Sequence, residues 1–135
     1  MKEHLKTNIG QYAIILREKS LLLLTPVDGK FLVFVGGRLD SDEDDYKEAL
    51  AREVKEETGL KLKKLEPFDI KLWSVNGTNH RYGVFFICDV EDAEIKLSHE
   101  HTDYKWYSYD EALDSDKIGE PGKEVIRKLR ERDYM

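Results

Sequence analysis

The stretch REVKEETG, residues 52–59, ends a segment whose apolar residues recur at helical spacing. Leu50 and Val54 lie one helical turn apart, and Gly59 is the residue type that most often follows the end of a helix. We therefore predict an amphipathic helix over residues 46–58.

Three glutamates share one side of this predicted helix. Glu53, Glu56 and Glu57 have the spacing i, i+3, i+4, which at about 100° per residue places them in one arc. The arc borders the buried stripe, whereas an ordinary solvated face would lie opposite it. Arg52 is expected to face more toward the side of the helix than toward the cluster. The repulsion among the carboxylates therefore favours a hard divalent cation such as Mg²⁺.

Two other interpretations of the acidic residues were weighed. In a chain with 28 acidic residues, glutamates on a helix often form a solvated face paired with lysines, and this alternative stays open. An EF-hand would use the alternate residues Asp40, Asp42 and Asp44. It is excluded because Asp45 stands where that loop needs glycine and Ala51 where it needs glutamate.

Apolar runs on both sides of the helix predict strands, and the C-terminal region predicts two more helices. Strands before and after an internal helix, plus a terminal helix, favour a mixed sheet covered by helices on both faces. The predicted strands are residues 9–16, 21–24, 31–35 (FLVFV), 68–75, 82–90 and 104–109, and the predicted C-terminal helices are residues 110–113 and 121–132.

The residues before the helix complete a longer motif. A glycine pair ending at Gly37, an acidic loop with Glu43, and residues 52–60 resemble the signature of the Nudix hydrolases. That signature is a glycine, a glutamate, and then Arg-Glu-U-x-Glu-Glu-x-Gly-U, with U an aliphatic residue, and the last part matches in full. The segment between Glu43 and Arg52 carries one extra residue, or else Asp44 takes the place of the glutamate and the spacing from the glycine is longer by one. Val35 replaces a proline that commonly precedes the glycines.

The resemblance covers most of the chain, because the flanking strands follow the usual Nudix order. It implies an α/β fold, specifically an α/β/α sandwich with a mixed β-sheet, and one domain over residues 1–135. It also implies a metal-dependent enzyme that hydrolyses a phosphoanhydride bond in a nucleoside diphosphate derivative. The implied cofactor is Mg²⁺, with Mn²⁺ as an alternative.

The resemblance also implies roles for individual residues. Arg52 is expected to hold a neighbouring carboxylate by bidentate hydrogen bonds. Glu100 precedes a strand that contains Trp106, where similar proteins often supply another catalytic carboxylate, although a solvated loop glutamate has the same pattern. The implied catalytic residues are Arg52, Glu53, Glu56, Glu57 and Glu100, and the implied metal-binding residues are Glu53, Glu56, Glu57 and Gly37.

Two further groups of side chains were considered for the site. His99 and His101 flank Glu100 and are predicted to be surface residues, because hard magnesium favours oxygen ligands. Recognition of a base needs a stacking aromatic ring or an amide, and each candidate is equally consistent with a core or turn position. These candidates are Tyr12, Phe34, Trp73, Asn76, Asn79 and Tyr82.

Composition limits the partners that the chain is expected to have. The net charge of −6 and pI near 5.3 argue against a grip on bare nucleic acid or an anionic membrane. The single Cys88 lies in an apolar run and is predicted to be core, and the N-terminus has no apolar signal segment. We therefore expect a cytoplasmic protein with a small-molecule nucleotide partner, and the sequence leaves a homodimer open.

Two non-enzymatic classes compete with the hydrolase. A Nudix-like sensor would bind a nucleotide without cutting it, but such proteins often lose the carboxylates that this chain keeps. An acidic protein-interaction domain would leave the glutamate arc and Gly37 unexplained. Modified nucleoside triphosphates, ADP-ribose, other nucleotide sugars and dinucleoside polyphosphates remain open as substrates, and the short chain slightly favours a housecleaning nucleoside triphosphatase.

Overall fold

The computed structural model describes residues 2–135. Across these residues the chain forms one sheet of six strands and three helices. No helix in this part of the chain has the length and apolarity needed to cross a membrane. The elements are β1 (Asn8–Arg17), β2 (Ser20–Pro26), β3 (Val35–Arg38), α1 (Tyr46–Thr58), β4 (Leu62–Val75), β5 (Thr78–Val90), β6 (His101–Tyr107), α2 (Tyr109–Asp114) and α3 (Glu120–Glu131).

The sheet is mixed, as predicted. Its strand order is β4-β5-β1-β2-β6, and β3 pairs with β1 beside this path. The central pair β1 and β5 is parallel, whereas the other strand pairs are antiparallel. Strand β1 therefore carries β5 along one edge, and along the other edge it carries β3 and then the start of β2.

Helices cover both faces of this sheet, which confirms the predicted α/β/α sandwich. Alternation along β1 sends Ala13 and Ile15 into the core on the α1 side, and Ile14 into the core on the α2 and α3 side. Cys88 is buried on the α1 side, as predicted, and burial raises the pKa of its thiol to about 12. Helix α1 contributes Ala49, Leu50 and Val54 to its core, and α3 contributes Val125, Ile126 and Leu129.

Helix α1 has the bounds that the sequence predicts, because both of its ends are fixed locally. The side chain of Asp45 caps the N-terminus by accepting hydrogen bonds from the backbone N–H groups of Lys47 and Glu48. Gly59 ends the helix in the left-handed conformation at φ 75°, and its N–H donates to the Lys55 carbonyl.

The strand predicted over residues 31–35 is wrong in its position. Val33 makes one isolated bridge to Leu24, and β3 begins only at Val35. The physical reason is that pairing with β1 begins at Val35 and continues through the two glycines to Arg38. The strand is thus selected by its partner rather than by its own apolar residues, and this places Gly36 and Gly37 inside the sheet.

Other strands differ from the prediction at their ends, since β2 continues to Pro26 rather than residue 24 and β5 begins at Thr78 rather than residue 82. Strand β4 begins at Leu62 rather than at residue 68, and it passes Pro67 where the β4–β5 register shifts. Strand β6 covers His101–Tyr107 rather than residues 104–109, because Ser108 caps helix α2 instead of continuing the strand. The earlier start of β6 brings His101 into the sheet.

Candidate functional site

The glycine pair of β3 allows helix α1 to dock closely. Gly36 has φ 136°, and a Cβ there would collide with the carbonyl oxygen of Gln11 on β1. A Cβ on Gly37 would lie 3.2 Å from Oε1 of Glu53, which is closer than ordinary van der Waals contact. Gly36 is therefore required by the backbone, whereas Gly37 leaves space in front of the Glu53 carboxylate.

Glu57 is the most buried acidic side chain of this site, with 4% of the residue exposed. Its Oε1 accepts a hydrogen bond from the Gly36 N–H at 3.2 Å. Within residues 2–135, no lysine or arginine nitrogen lies within ion-pair distance of its carboxylate. Burial, followed by the neighbouring carboxyls of Glu53 and Glu100, raises the pKa of Glu57 to about 9. The fold thus holds a buried carboxyl group without a cationic side chain to compensate its charge.

Arg52 bends over the acidic face of α1. Its Nη1 lies 3.0 Å from Glu56 Oε2, and its Nη2 lies 3.3 Å from Glu53 Oε1. Arg52 was expected to face more toward the side of the helix than toward the cluster, but its long side chain reaches the cluster. The expected pairing of Arg52 with neighbouring carboxylates is present. Hydrogen bonding to Glu43, Glu56 and the nearby charges raises the pKa of Arg52 further above its usual value. Glu57 alone among the three glutamates is left without this contact.

The extra loop residue does not separate Glu43 from Arg52. Arg52 Nη2 lies 3.1 Å from both carboxylate oxygens of Glu43. Glu43 also accepts a hydrogen bond from the Asp40 N–H at 2.9 Å and donates its own N–H to the Asp40 carbonyl. The Asp40 N–H first, and then Arg52, hold the pKa of Glu43 below its usual value. The additional residue is accommodated in the turn before α1.

Glu100 immediately precedes His101, whose side chain lies beside Glu57, and the charge of Glu100 contributes to the raised pKa of Glu57. Glu100 and His99 are exposed, so His99 is at the surface as predicted. The prediction of a surface position is wrong for His101, whose side chain is only 9% exposed and whose Nε2 lies 3.9 Å from Glu57 Oε1. Its burial, which lowers its pKa, follows from its place at the start of β6.

The donor groups on α1 fit a hard divalent cation. Glu53 offers carboxylate oxygens beside Gly37 and Glu57 beside Gly36, while Glu56 is directed to Arg52 and its side chain is 57% exposed. Within residues 2–135, no three histidine, cysteine or acidic side chains already form a complete metal-binding group. Magnesium usually takes one or two protein carboxylates and completes its shell with water and substrate phosphates. A two-carboxylate half-site is therefore chemically suitable.

An apolar pocket of about 200 Å³ lies on the opposite face of the sheet, between β1, β4, β5 and the start of α3. Three of the predicted base-binding candidates, Tyr12, Phe34 and Trp73, line it together with Phe85. The other three candidates, Asn76, Asn79 and Tyr82, are exposed and are not among its lining residues. Sequence reasoning missed Phe85 and the segment from Ile118 to Gly122, since only tertiary contacts bring them to the pocket.

Strand β3 connects the pocket to the acidic face of α1. Phe34, immediately before β3, lines the pocket, and Gly36 follows it at the Glu57 contact. Tyr12 of the pocket is the register partner of Gly36. The pocket and the carboxylates nevertheless lie on opposite faces of the sheet, so a molecule in the pocket has to pass around β3 to reach the carboxylates of α1.

The fold and the site define a class of α/β/α sandwich proteins in which a carboxylate-bearing helix docks on a glycine-containing strand. The chain belongs to the Nudix hydrolase family, since the family model for the NUDIX domain matches residues 6–129. Both the resemblance and the fold expected from the sequence are thereby confirmed.

Three known proteins illustrate the similarity. A MutT protein from Methanosarcina mazei Go1 superposes with a TM-score of 0.78 at 28% identity, covering 96% of this chain and 99% of that chain. The asymmetrical bis(5'-nucleosyl)-tetraphosphatase of Rattus norvegicus is 37% identical over 81 residues, covering 56% of this chain and 54% of that protein. The NAD-capped RNA hydrolase NudC of Mannheimia succiniciproducens is 36% identical over 69 residues, covering 50% of this chain and 25% of that protein.

The matched part of the chain spans between 25% and 54% of the length of these curated relatives. Similarity of this extent establishes the family and leaves the reaction to be argued from the site.

Proposed function

We propose that this protein is a divalent-metal-dependent hydrolase that cleaves a phosphoanhydride bond in a nucleoside diphosphate derivative. One observation carries the proposal: Glu57 is a buried carboxyl group beside Glu53 and under the glycine pair, and no lysine or arginine within residues 2–135 pairs with it. A buried carboxylate without a cation is unfavourable unless it binds one. Mg²⁺, or Mn²⁺ in its place, is the proposed partner.

Glu53 and Glu57 are proposed to hold the metal, with Glu56 joining them if it exchanges its ion pair with Arg52. When bound, a divalent cation neutralises phosphate charge and makes a water molecule more acidic. Arg52 is proposed to keep the Glu53 and Glu56 carboxylates in fixed orientations through its hydrogen bonds. Gly37 is proposed to let a phosphate approach the Glu53 carboxylate, because no side chain fills that space.

Glu100 is proposed to take the proton of the attacking water. It is an exposed carboxylate on the segment that faces Glu57, so it is open to solvent and close to the proposed reaction centre. Glu57 is less suited to this role, because its hydrogen bond to Gly36 and its burial turn it toward the protein. This assignment separates the residues that hold the metal from the residue that moves a proton.

The apolar pocket, called the aromatic pocket from here on because Tyr12, Phe34, Trp73 and Phe85 line it, is proposed to bind the nucleobase. Tyr12, Phe34, Trp73 and Phe85 present ring surfaces, and a pocket of about 200 Å³ has room for one planar heterocycle. The phosphates would then pass around β3 to reach the carboxylates on the other face of the sheet. An apolar pocket on one face and carboxylates on the other support a substrate in which a base and a phosphate chain are joined.

Two substrate classes follow from this arrangement. A nucleoside triphosphate, including a modified one, is placed first, because the pocket accommodates one base. A dinucleoside polyphosphate is the second candidate, and the rat tetraphosphatase relative supports it. A nucleotide sensor without turnover is less favoured, because the chain keeps Glu53, Glu56 and Glu57 together on α1.

The proposal is tested by measuring hydrolysis of a substrate panel by the purified protein. The panel contains ordinary and oxidised nucleoside triphosphates, ADP-ribose, a nucleotide sugar, a dinucleoside tetraphosphate and an NAD-capped RNA. Each is assayed with Mg²⁺, with EDTA, and with the variants Glu57→Gln and Glu48→Gln. Glu48 is a matched control, because it is an exposed glutamate in the first turn of the same helix.

We expect turnover with Mg²⁺ that EDTA and Glu57→Gln remove and that Glu48→Gln preserves. Equal turnover by the Glu57→Gln variant would contradict the proposed metal site. Nucleotide binding without turnover of any member of the panel would favour the sensor instead.

A further inference from the structure

We propose that His101 is a positioning residue that orients the Glu57 carboxylate so that one of its two oxygens is directed to the metal. This inference rests on the proposed function, because it assigns a task to a residue beside the same site. His101 acts through Glu57 and does not itself contact the substrate.

The two oxygens of Glu57 have different surroundings. Oε1 accepts the hydrogen bond from the Gly36 N–H at 3.2 Å, and Nε2 of His101 lies 3.9 Å from the same Oε1. Oε1 is therefore bounded by β3 on one side and by the start of β6 on another. The remaining oxygen is the one that we assign to the metal.

The environment of the imidazole indicates which of its nitrogens carries the proton. A neutral imidazole has one N–H donor and one acceptor nitrogen. Among residues 2–135, the buried Nδ1 has no hydrogen-bond partner, whereas Nε2 faces the Glu57 oxygen. When a metal ionises Glu57, the tautomer with its hydrogen on Nε2 is the one that directs a donor to the carboxylate. Closing the 3.9 Å separation to a hydrogen bond requires a movement of about 1 Å.

The backbone on both sides of His101 is held by the sheet. His101 is the first residue of β6 and pairs with Pro26 of β2, and the preceding Glu100 carbonyl accepts a hydrogen bond from the Val27 N–H at 3.1 Å. The imidazole is therefore carried by a fixed strand end and not by a free loop. Such fixed neighbours are what a metal-binding carboxylate needs for a single orientation.

The test replaces His101 with glutamine or with asparagine, whose side-chain amides differ in their distance from the backbone. In His101→Gln, the amide N–H occupies a position similar to Nε2 and reaches Glu57, whereas in His101→Asn the amide is too short to do so. His99→Asn is the matched control, because His99 flanks Glu100 on the other side and is exposed. Mn²⁺ binding to each variant is measured by electron paramagnetic resonance without substrate, and thermal unfolding confirms that each variant is folded.

We expect His101→Asn to raise the Kd for Mn²⁺ by about 10–100-fold, the range found when a neighbour of a metal ligand is lost. His101→Gln should recover most of this loss, and His99→Asn should bind as the wild type does. In turnover assays, the Mg²⁺ concentration at half-maximal rate should follow the same order, while KM for the nucleotide at saturating Mg²⁺ stays unchanged.

Wild-type Mn²⁺ affinity in folded His101→Asn, or equal losses in the Asn and Gln variants, would overturn the assignment of His101. A wild-type protein that neither binds Mn²⁺ nor hydrolyses the panel would overturn the proposed function itself. The two failures are therefore distinguishable.

Discussion

Arg52 and Glu43 are joined across the loop before α1, with Nη2 of Arg52 lying 3.1 Å from each oxygen of the Glu43 carboxylate. This contact persists although the loop carries one residue more than the family signature. The same guanidinium reaches Glu53 and Glu56, so the loop and the acidic face of α1 are held by one side chain. The orientation of the carboxylates thus depends on a residue that the metal need not touch.

Replacing Arg52 with lysine should reduce catalysis much more than stability. Lysine keeps the charge but cannot bond several carboxylates at once. We expect kcat/KM to fall by about 10–100-fold, as for other neighbours of metal ligands. The unfolding free energy should change by only about 0–1 kcal/mol, because the pairs are partly exposed. Arg17→Lys, which alters an exposed pair with Asp92, is the control. Full activity of Arg52→Lys would contradict this role.

The two glycines of β3 should respond differently to alanine. Gly36→Ala places a side chain at positive φ and against the Gln11 carbonyl, so we expect a loss of about 2 kcal/mol or more in unfolding free energy. Gly37→Ala meets only the flexible end of Glu53, so its stability loss should stay below about 1 kcal/mol. Activity should nevertheless fall in Gly37→Ala, because Glu53 is displaced. Urea unfolding and turnover assays measure both effects, and the opposite order of stability losses would contradict the geometry.

The free energy of unfolding of the metal-free protein should decrease as pH rises from about 4.5 to about 9. The lower limit is the ordinary pKa of Glu57, and the upper limit is its raised pKa in the folded protein. In this window the folded state keeps a proton on Glu57 that the unfolded state releases, so higher pH favours unfolding. Glu57→Gln carries no such proton, and its stability should lack this part of the pH dependence. Denaturant unfolding in EDTA across this pH range makes the comparison. Identical pH slopes for the two proteins would contradict the raised pKa.

Metal binding should become tighter as pH rises through the same window. A cation binds the ionised form of Glu57, so binding releases the proton that the folded protein holds at lower pH. The increase in melting temperature caused by Mg²⁺ should therefore be larger near pH 9 than near pH 6, and calorimetry in buffers of different ionisation enthalpy should detect the released proton. A thermal shift that is independent of pH would show that Glu57 is not a ligand.

Nucleotide binding should change the fluorescence of Trp73. The chain contains two tryptophans, and Trp106 lies outside the aromatic pocket beneath the guanidinium of Arg17. In Trp106→Phe, Trp73 is the single reporter, and stacking on a base should quench its emission in proportion to occupancy. Trp73→Leu should raise KM by roughly 10-fold or more, since base stacking on an aromatic contributes about 1–3 kcal/mol. Unchanged emission at saturating nucleotide would place the base elsewhere.

The sequence was sufficient for the parts of the site that local interactions decide. Helix α1 has the predicted bounds because Asp45 and Gly59 fix its ends by contacts within a few residues. Glu53 and Glu57 lie at the border of the buried stripe because helical geometry relates them to Leu50 and Val54. The signature of the family lies within this segment, so the family was recognisable from it.

Features that depend on distant segments were not predictable in this way. The apolar run over residues 31–35 has strand character, but pairing with β1 selects Val35–Arg38 instead. His101 alternates with an exposed neighbour and looks like a surface residue until β6 pairs with β2 and buries it. Phe85 joins the aromatic pocket through parallel pairing of β5 with β1, and no local pattern indicates that contact.

The most direct test of the central claim is a crystal structure of the protein with Mn²⁺ and a non-hydrolysable nucleotide, using anomalous scattering to locate the metal. We predict an anomalous peak within coordination distance of the Glu53 and Glu57 carboxylates. The base should stack among Tyr12, Phe34 and Trp73, and the phosphates should lie near Gly37. A nucleotide bound elsewhere, with no manganese at α1 under saturating conditions, would contradict it.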